Sequence, residues 1–249
     1  MGRKEIKIQR WTSRSLGIIF FVLGSQNLIS SSIDHHQERF EDVALKIWEY
    51  AELGYLEEKS SNLLQQELKD SGFTIQSGIA EIPTAFVAEY NNDGPVIGIL
   101  GEFDALPGLS QQNLPYKTAE GLSSANGHAC GHHLFGAASA WAAVAIKEWL
   151  EESGTPGTIR FYGTPAEEGG SGKVYIARGG YFDDVDIVLH WHPASSNSAD
   201  AQSSNSNKSG KFTFSGISAH AASAPEKGRS ALDGVEAMNM MVNMMREHI

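Results

Sequence analysis

Residues 134–162, LFGAASAWAAVAIKEWLEESGTPGTIRFY, decide the fold. The Ala-rich part, Leu134 to Leu150, has the composition of a well-buried helix. The run Gly154-Thr-Pro-Gly157 breaks that helix, because glycine and proline are poorly tolerated inside helices. The β-branched and aromatic residues of Thr158 to Tyr162 then favour a strand. This stretch therefore predicts a buried helix that leads into a strand of a sheet.

Further strands and helices alternate on either side of this unit. Thr84 to Tyr90 and Val96 to Leu100 are predicted strands, and the turn residues Asn91 to Pro95 predict a hairpin or two neighbouring strands. A helix that ends near Gly179-Gly180 is expected before another buried strand, Val185 to Leu189. This alternation indicates an α/β sheet with helices on its faces.

Two helices are predicted before the first strand. One starts at Ile33, and the other follows Ser60 as its N-cap and ends at Gly72. The first helix has an apolar stripe at helical spacing, which consists of Phe40, Val43, Ala44, Ile47 and Ala51.

The first 32 residues differ in character from the rest. Basic residues at positions 3, 4, 7, 10 and 14 precede an apolar run over 16–23, and small and polar residues follow through Ser32. That order matches a secretory signal peptide, so we expect export to the periplasm or the medium. A leader that is not a signal peptide, on a cytoplasmic protein, is the alternative. The apolar run is shorter than the about 20 residues of a spanning helix, so no stable membrane span is expected.

The composition limits the kind of partner. With 41% hydrophobic and 20% charged residues, the chain has the composition of an ordinary globular protein. Its net charge of -11 argues against nucleic acid and against an anionic membrane surface, because both bind clustered Lys and Arg. We therefore expect a small-molecule or protein partner.

The C-terminal part has a pattern of its own. Ser and Asn dominate Ala194 to Gly210, which suggests a linker between domains. A strand is predicted over Lys211 to Ser215, and a helix from near Ser230 to the end. Core packing is the simplest explanation of the Met-rich stripe on that helix, and a partner surface is the alternative. The stripe consists of Leu232, Val235, Met238, Met241, Val242 and Met245.

Two short segments carry side chains that bind metals or move protons. Cys130 and His132 lie two residues apart in a Gly-flanked loop, where an irregular backbone allows both to reach one ion. Glu167 and Glu168 follow a strand, and adjacent residues point in different directions. One of them can therefore bind a metal while the other acts as a general base. The alternatives are structural histidines in the loop and two solvated acids at a helix start.

Three other positions are candidates on weaker signals. His190 and His192 lie at the end of a predicted buried strand, where open α/β sheets bind ligands. Asp104 follows another strand and could orient a ligating imidazole. His220 is presented from a small-residue loop further along. For at least one of His190 and His192, a bond to a nearby carbonyl is the structural alternative, and a purely structural role is the alternative for His220.

Five motifs, in order, resemble those of one family. The similarity extends from about Ile33 to the last residue, and the family is that of co-catalytic zinc peptidases and amidohydrolases. It includes carboxypeptidase G, hippurate hydrolase and the plant auxin-conjugate hydrolases. The motifs are GEFDALPG at 101–108, GHACGHHLFG at 127–136, TPAEEGG at 164–170, WHP at 191–193 and GISAHAASAPEKGRSALDG at 216–234.

The resemblance implies a role for each matching residue. Cys130, His132, Glu168 and His192 match metal ligands, although His190 remains an alternative to His192. Glu167 matches the general base that activates water, and Asp104 matches the aspartate of the DALP-type turn. His220 is similar to the histidine that stabilises the oxyanion, often across a dimer.

The resemblance also implies an architecture and a reaction. We expect a mixed-sheet α/β metallopeptidase catalytic domain with helices on both faces, and the start of a smaller α+β dimerisation (lid) domain. The expected divisions are residues 1–32 as leader, 33–207 as catalytic part and 208–249 as incomplete dimerisation domain. One or two divalent ions, Zn or Mn, would serve hydrolysis of the amide in an N-acyl or aminobenzoyl amino acid or a dipeptide. A homodimer or heterodimer would form through the small domain.

Two departures from the family pattern bear on activity. His133 stands where the family usually has Asp or Asn, and could supplement the site. Family members continue beyond the equivalent of Ile249 to a further metal-binding histidine, which we expect to be absent from this chain. The alternative function is therefore an incomplete or non-catalytic member that acts as a binding protein or partner-dependent subunit.

Overall fold

The structure, a computed structural model, describes residues 13–116, 125–199, 203, 209–246 and 248. The basic residues at positions 3–10 of the predicted leader lie outside these ranges, as do residues 117–124. The contacts divide the chain into two compact units, Met1–Ser196 and Asn197–Ile249. The finer division into leader, catalytic part and dimerisation domain stays a prediction.

The first unit contains a five-stranded mixed sheet with the order β1-β2-β4-β3-β5. Strand β2 runs antiparallel to both β1 and β4, whereas β3 runs parallel to both β4 and β5. This arrangement confirms the expected mixed α/β sheet. The strands are β1 (Thr74–Ser77), β2 (Phe86–Tyr90), β3 (Val96–Gly101), β4 (Thr158–Gly163) and β5 (Ile187–Leu189). The helices of this unit are α1 (Ser13–Tyr50), α2 (Glu58–Asp70), α3 (His132–Ser153), α4 (Glu167–Gly170) and α5 (Gly172–Arg178).

The predicted hairpin of β2 and β3 is wrong. Strand β4 lies between them, with Val87 opposite Tyr162 on one side and Leu100 opposite Tyr162 on the other. The turn at 91–95 reverses the chain locally, but pairing depends on which strand buries the most apolar surface. Strand β4 is buried on both faces, and it takes the central place.

Helices cover both faces of the sheet. On one face, β4 contributes Phe161 to a core that α1, α2 and α3 complete. On the other, Tyr162 packs in a second core with Ile176 of α5. Alternate residues of a strand point to opposite faces, so one strand serves both cores. The expectation of helices on both faces is thus confirmed.

Helix α1 is longer than the sequence pattern predicts, since it begins at Ser13 rather than Ile33. Its predicted stripe is buried from Phe40 to Ile47, while Ala51 lies beyond the helix with a φ of +42°. In the part of the chain that the structure describes, no helix combines the length and apolarity that a membrane crossing requires.

The predicted start of α2 is also wrong. Ser60 lies inside its first turn rather than at the N-cap. The carboxylate of Glu52, eight residues earlier, accepts hydrogen bonds from the backbone N–H groups of Lys59 and Ser60 and from the Ser60 hydroxyl. A side chain from outside the helix therefore accepts the hydrogen bonds of first-turn N–H groups that an N-cap side chain would normally accept.

Strand β5 corrects a further prediction. Ile187, Val188 and Leu189 are exposed, although the apolar run predicts a buried strand. Within the described sheet β5 is an edge strand that pairs with β3 alone.

The second unit contains helix α6 (Ala231–Met245) and little other regular structure among its described residues. Helix α6 begins directly after Ser230, as predicted, and the Ser230 hydroxyl caps it by accepting from the Asp233 N–H. The predicted strand at 211–215 has no strand conformation. Core packing of the Met-rich stripe is wrong as well, because all but one of these side chains are exposed and Met238 is only half-buried.

Candidate metal centre

Three chain segments meet where β3 and β4 end. Because these strands are parallel, their carboxyl ends lie at one edge of the sheet. After β3 come Glu102 and Asp104, and the turn after β4 carries Glu167 and Glu168. The first residue of α3, His132, reaches the same edge.

Asp104 fixes two of these groups with one buried carboxylate. His132 Nδ1 donates to Asp104 Oδ1 at 2.9 Å, and the backbone N–H of Glu168 donates to Asp104 Oδ2 at 2.9 Å. With Nδ1 committed to a carboxylate, the imidazole presents Nε2 to the site, as metal-binding histidines commonly do. The sequence could suggest the contact with His132 but not the second one.

Three buried polar atoms at this edge have no hydrogen-bond partner: Glu102 Oε2, His132 Nε2 and Glu168 Oε1. The imidazole Nε2 lies 2.9 Å from Glu102 Oε2, close enough to form an ion pair when the ring is protonated, and 3.9 Å from Glu168 Oε1. Leaving such atoms unpaired in the interior is costly. A cation between them would satisfy all three, so these residues fit a metal ion.

Two groups of ligand atoms overlap here. Cys130, His132 and Glu168 form one, and Glu102, His132 and His192 form the other, with the atoms of each group within 4.8 Å of one another. Sulfur, nitrogen and carboxylate oxygen together suit a borderline divalent ion. Because His132 belongs to both groups, the two candidate positions are adjacent.

The carboxylates control the charge of the imidazole. Burial would lower the pKa of His132, but the carboxylates of Asp104 and Glu102 outweigh burial and raise the pKa to about 10. Burial would likewise raise the pKa of Glu102, but His132, His190 and Lys173 outweigh it and hold the pKa well below its usual range. The metal-free site therefore places a protonated imidazole between anions.

Cys130 and Glu167 respond to the same negative charge. The neighbouring Glu168 carboxylate, assisted by burial, raises the pKa of the Cys130 thiol to about 11. Burial, followed by repulsion from Glu102, raises the pKa of Glu167. A cation at the site would relieve both effects, since it favours thiolate and carboxylate forms. The Glu167 side chain is 44% exposed and that of Glu168 19%, so Glu167 is the more accessible of the pair.

Aromatic packing positions the segment that carries His190 and His192. The Phe135 ring of α3 lies 5.1 Å from the ring of His190 and 6.3 Å from that of His192. Trp191 Nε1 donates to Ser139 Oγ at 2.9 Å. His190 Nε2 lies 3.3 Å from Glu102 Oε1, whereas His192 belongs to a ligand group. This placement favours His192 over His190 as the ligand.

Of the remaining candidates, His133 belongs to neither ligand group, and His220 lies in the second unit. His133 packs against His128 with ring centroids 5.1 Å apart, and burial lowers its pKa to about 4. It therefore stays neutral and joins neither ligand group. His220 belongs to the second unit, where its exposed ring accepts from the backbone N–H of Ala222 at 3.1 Å.

Sequence reasoning missed Glu102 and Glu57. Glu102 follows the apolar strand β3 directly, and an acid that continues a buried strand is a signal for a function. Glu57 gives no comparable signal, because it stands beside the exposed Glu58 and resembles part of a solvated helix start. Only the structure shows that Glu57 is fully buried and accepts a hydrogen bond at 2.8 Å from the backbone N–H of Ala166, next to the acid pair.

A protein-family profile matches the part of the chain that carries the candidate centre. Residues 98–223, just over half of the chain, match the profile of Peptidase family M20/M25/M40. The chain belongs to this peptidase family. The match includes the Cys130 loop, the acid pair and His192 of the candidate centre.

Relatives within the M20 family include hydrolases of several kinds. The chain is 44% identical to one of the subunits of p-aminobenzoyl-glutamate hydrolase of Escherichia coli, over 89% of its own length and 46% of that protein. It is 29% identical to human Xaa-Arg dipeptidase, over 87% of this chain and 49% of the dipeptidase. The chain thus spans about half the length of the curated relatives it matches.

A solved structure of the M20 family has the same fold. The Bacillus subtilis YXEP protein, described as a dinuclear metal binding peptidase, aligns with a TM-score of 0.52 and 27% identity. The alignment covers 62% of this chain and 42% of that one. The fold and the membership in a family of metal-binding peptidases are therefore established.

Proposed function

We propose that the protein is a metal-dependent amidohydrolase that cleaves the amide bond of an N-acyl or aminobenzoyl amino acid, or of a dipeptide. The observation that carries the proposal is the convergence of three unpartnered buried atoms, Glu102 Oε2, His132 Nε2 and Glu168 Oε1, beside the accessible carboxylate of Glu167.

Cys130, His132, Glu168 and His192 would hold the metal, and Glu102 lies within reach of it. The cysteine thiolate favours Zn, and Mn is the alternative. When bound, a divalent ion polarises the amide carbonyl and makes water more acidic. The name of the Bacillus subtilis relative supports two ions, since it refers to a dinuclear peptidase.

Glu167 would carry out both proton transfers of the reaction. The Glu167 carboxylate takes a proton from the attacking water as the C–O bond forms at the amide carbon. The same carboxyl group then gives that proton to the nitrogen as the C–N bond breaks. The products are a carboxylic acid and an amine. His220 would stabilise the negative oxygen that develops at the carbon.

The substrate class follows from the relatives. Their names describe a p-aminobenzoyl-glutamate hydrolase and an Xaa-Arg dipeptidase, and in each the bond broken is an amide next to an amino acid. The higher identity to the first favours an aminobenzoyl or similar acyl amino acid here.

Dependence on a partner chain is the second candidate. The Escherichia coli relative is named as one of two different subunits of its hydrolase, which favours an assembly with a different chain. The exposed apolar side chains of α6, among them Leu232, Met241 and Met245, support a homodimeric or heterodimeric contact through the second unit.

Substitution of each glutamate in turn tests the assignment. The 249-residue chain is loaded with Zn or Mn and assayed with p-aminobenzoyl-glutamate, with and without a homologue of the other Escherichia coli hydrolase chain. We expect Glu167→Gln to lower kcat by about 10²- to 10⁴-fold while the bound metal stays unchanged. We expect Glu168→Gln to lower metal affinity as well, because it removes a ligand.

The two variants act as controls for each other. Equal metal loss in both would contradict the division into base and ligand. Full activity of Glu167→Gln would remove the general base and with it the proposed mechanism. Turnover only in the presence of the second chain would favour dependence on a partner.

A further inference from the structure

The loop between α1 and α2 packs directly against the turn that carries the acid pair. Tyr55 Oη donates to the backbone oxygen of Gly170 at 2.5 Å. Gly54 lies so close to Ala166 that a Cβ on it would be 3.0 Å from the Ala166 Cα. Glu57 Oε1 accepts from the Ala166 N–H at 2.8 Å. The loop therefore contacts the turn at three points before α2 begins.

Ala166 has an unusual backbone conformation. Its φ of +57° and ψ of +42° place it in the left-handed region, which disfavours residues with a side chain. Such conformations persist when the surroundings determine them from several directions. The next two residues are Glu167 and Glu168, so the torsions of Ala166 set the direction in which both acids leave the turn.

Glu57 has few other roles that explain its burial. It is fully buried, and its other oxygen accepts from Thr84 Oγ1 at 3.1 Å. An acid is costly to bury, and an apolar residue would fill the same space more cheaply. The benefit of the carboxyl group is its pair of acceptor oxygens, one of which holds the strained turn.

We propose that Glu57 is a positioning residue for the acid pair. By holding the Ala166 N–H, it orients Glu168 toward the metal and Glu167 toward the substrate, while Asp104 holds the Glu168 N–H from the opposite end. This inference rests on the proposed function, because it assumes that Glu168 is a metal ligand.

Binding of Co²⁺ tests the proposal without relying on turnover. Cobalt replaces zinc in sites of this kind, and its absorption reports both thiolate coordination and geometry. The variant Glu57→Met keeps the volume of the side chain but removes the acceptor. We expect it to bind Co²⁺ about 10- to 100-fold more weakly, with an altered spectrum, as is typical for the loss of a group that orients ligands. Glu57→Gln keeps an acceptor oxygen and should restore both affinity and spectrum.

Thr84→Val is the matched control. It removes the other hydrogen bond of Glu57 and leaves the contact with Ala166 in place. We expect wild-type Co²⁺ affinity from this variant, whatever its thermal stability. We expect the Glu57→Met variant to fold, because an apolar side chain of similar volume replaces a buried acid. Thermal unfolding of the same samples checks this.

The outcomes separate the inference from the proposed function. A folded Glu57→Met that binds Co²⁺ with wild-type affinity and spectrum would overturn the positioning role. An equal loss of affinity in Thr84→Val would also overturn it, because a general loss of stability would then explain the effect. If wild-type protein binds no Co²⁺, or if Cys130→Ser leaves its spectrum unchanged, the proposed metal site itself fails.

Discussion

The buried carboxyl group of Glu57 predicts an unusual dependence of stability on pH. Burial, opposed in part by hydrogen bonds from backbone N–H groups, raises the pKa of Glu57 from 4.5 to about 7. The folded protein therefore binds this proton more tightly than the unfolded chain does. The contribution to stability is fully present below about pH 4.5 and is lost as the pH rises to about 7.

The size of the effect follows from the two pKa values. At about 1.4 kcal/mol per pH unit, the shift corresponds to about 3 kcal/mol in the free energy of unfolding. Most of this, about 2–3 kcal/mol, falls between pH 5 and pH 8. Glu57→Gln does not titrate, so the stability of the wild type relative to this variant should decline by that amount over the range.

Urea unfolding of both proteins in the presence of a chelator, at half-unit steps from pH 5 to pH 8, measures this difference. Titrating groups that do not interact with Glu57 contribute equally to the two proteins and cancel. If the two stability curves are parallel, the reasoning fails, because Glu57 would then have the same pKa in the folded and unfolded states. A decline centred well below pH 6 would show that water reaches the carboxyl group.

Two further changes test the packing. Gly170→Ala places a Cβ against the ring of Tyr55 and should lower the free energy of unfolding by about 1–3 kcal/mol in urea unfolding. The control Gly169→Ala meets nothing within 4 Å and should change it by less than about 0.5 kcal/mol. Equal effects of the two substitutions would contradict the close contact. Phe161→Ala leaves a cavity in the core and should lower the free energy of unfolding by about 3–5 kcal/mol with an unchanged denaturant slope. The control Leu56→Ala, on the exposed loop, should leave the denaturation midpoint unchanged. A small loss for Phe161→Ala would mean that the core closes around the gap.

The sequence predicts local structure well where a segment consists mainly of residues that favour one kind of secondary structure. The Ala-rich helix and the strand after it lie within a few residues of α3 and β4. The predicted start of α6 near Ser230 is also correct, and the structure shows Ser230 as the N-cap of that helix. Strand pairing is different. The position of β4 between β2 and β3 depends on burial across the whole sheet, which a turn at 91–95 does not determine.

The candidate site divides in the same way. Cys130, His132 and the acid pair stand in short motifs, and the resemblance of these motifs to those of one family implies that the residues share a metal site. Glu102 lies in the motif at 101–108, directly after an apolar strand, but the motif alone assigned it no role. Glu57 stands in none of the motifs, and its burial cannot be predicted from its neighbours in the sequence. Residue types therefore predict the reactive groups, and the fold is needed to find the groups that hold them.

The Met-rich stripe of α6 shows a limit of periodicity. Its spacing correctly predicts an apolar helix face, but the same spacing suits a core and a surface that meets another chain. The structure places the face in solvent within the described residues, which periodicity alone could not decide.

The Asp104 carboxylate is a shared hydrogen-bond acceptor that positions both His132 and Glu168. These two residues come from different segments, and if each were located independently, small displacements of the segments would add up at the metal. Both residues are hydrogen-bonded to the oxygens of one carboxylate. A movement of the end of β3 therefore shifts both residues in the same direction, and the distance between them changes less than the position of either. A metal ion needs bond lengths held to a few tenths of an ångström. The dimensions of the centre can thus stay constant while the protein around it moves.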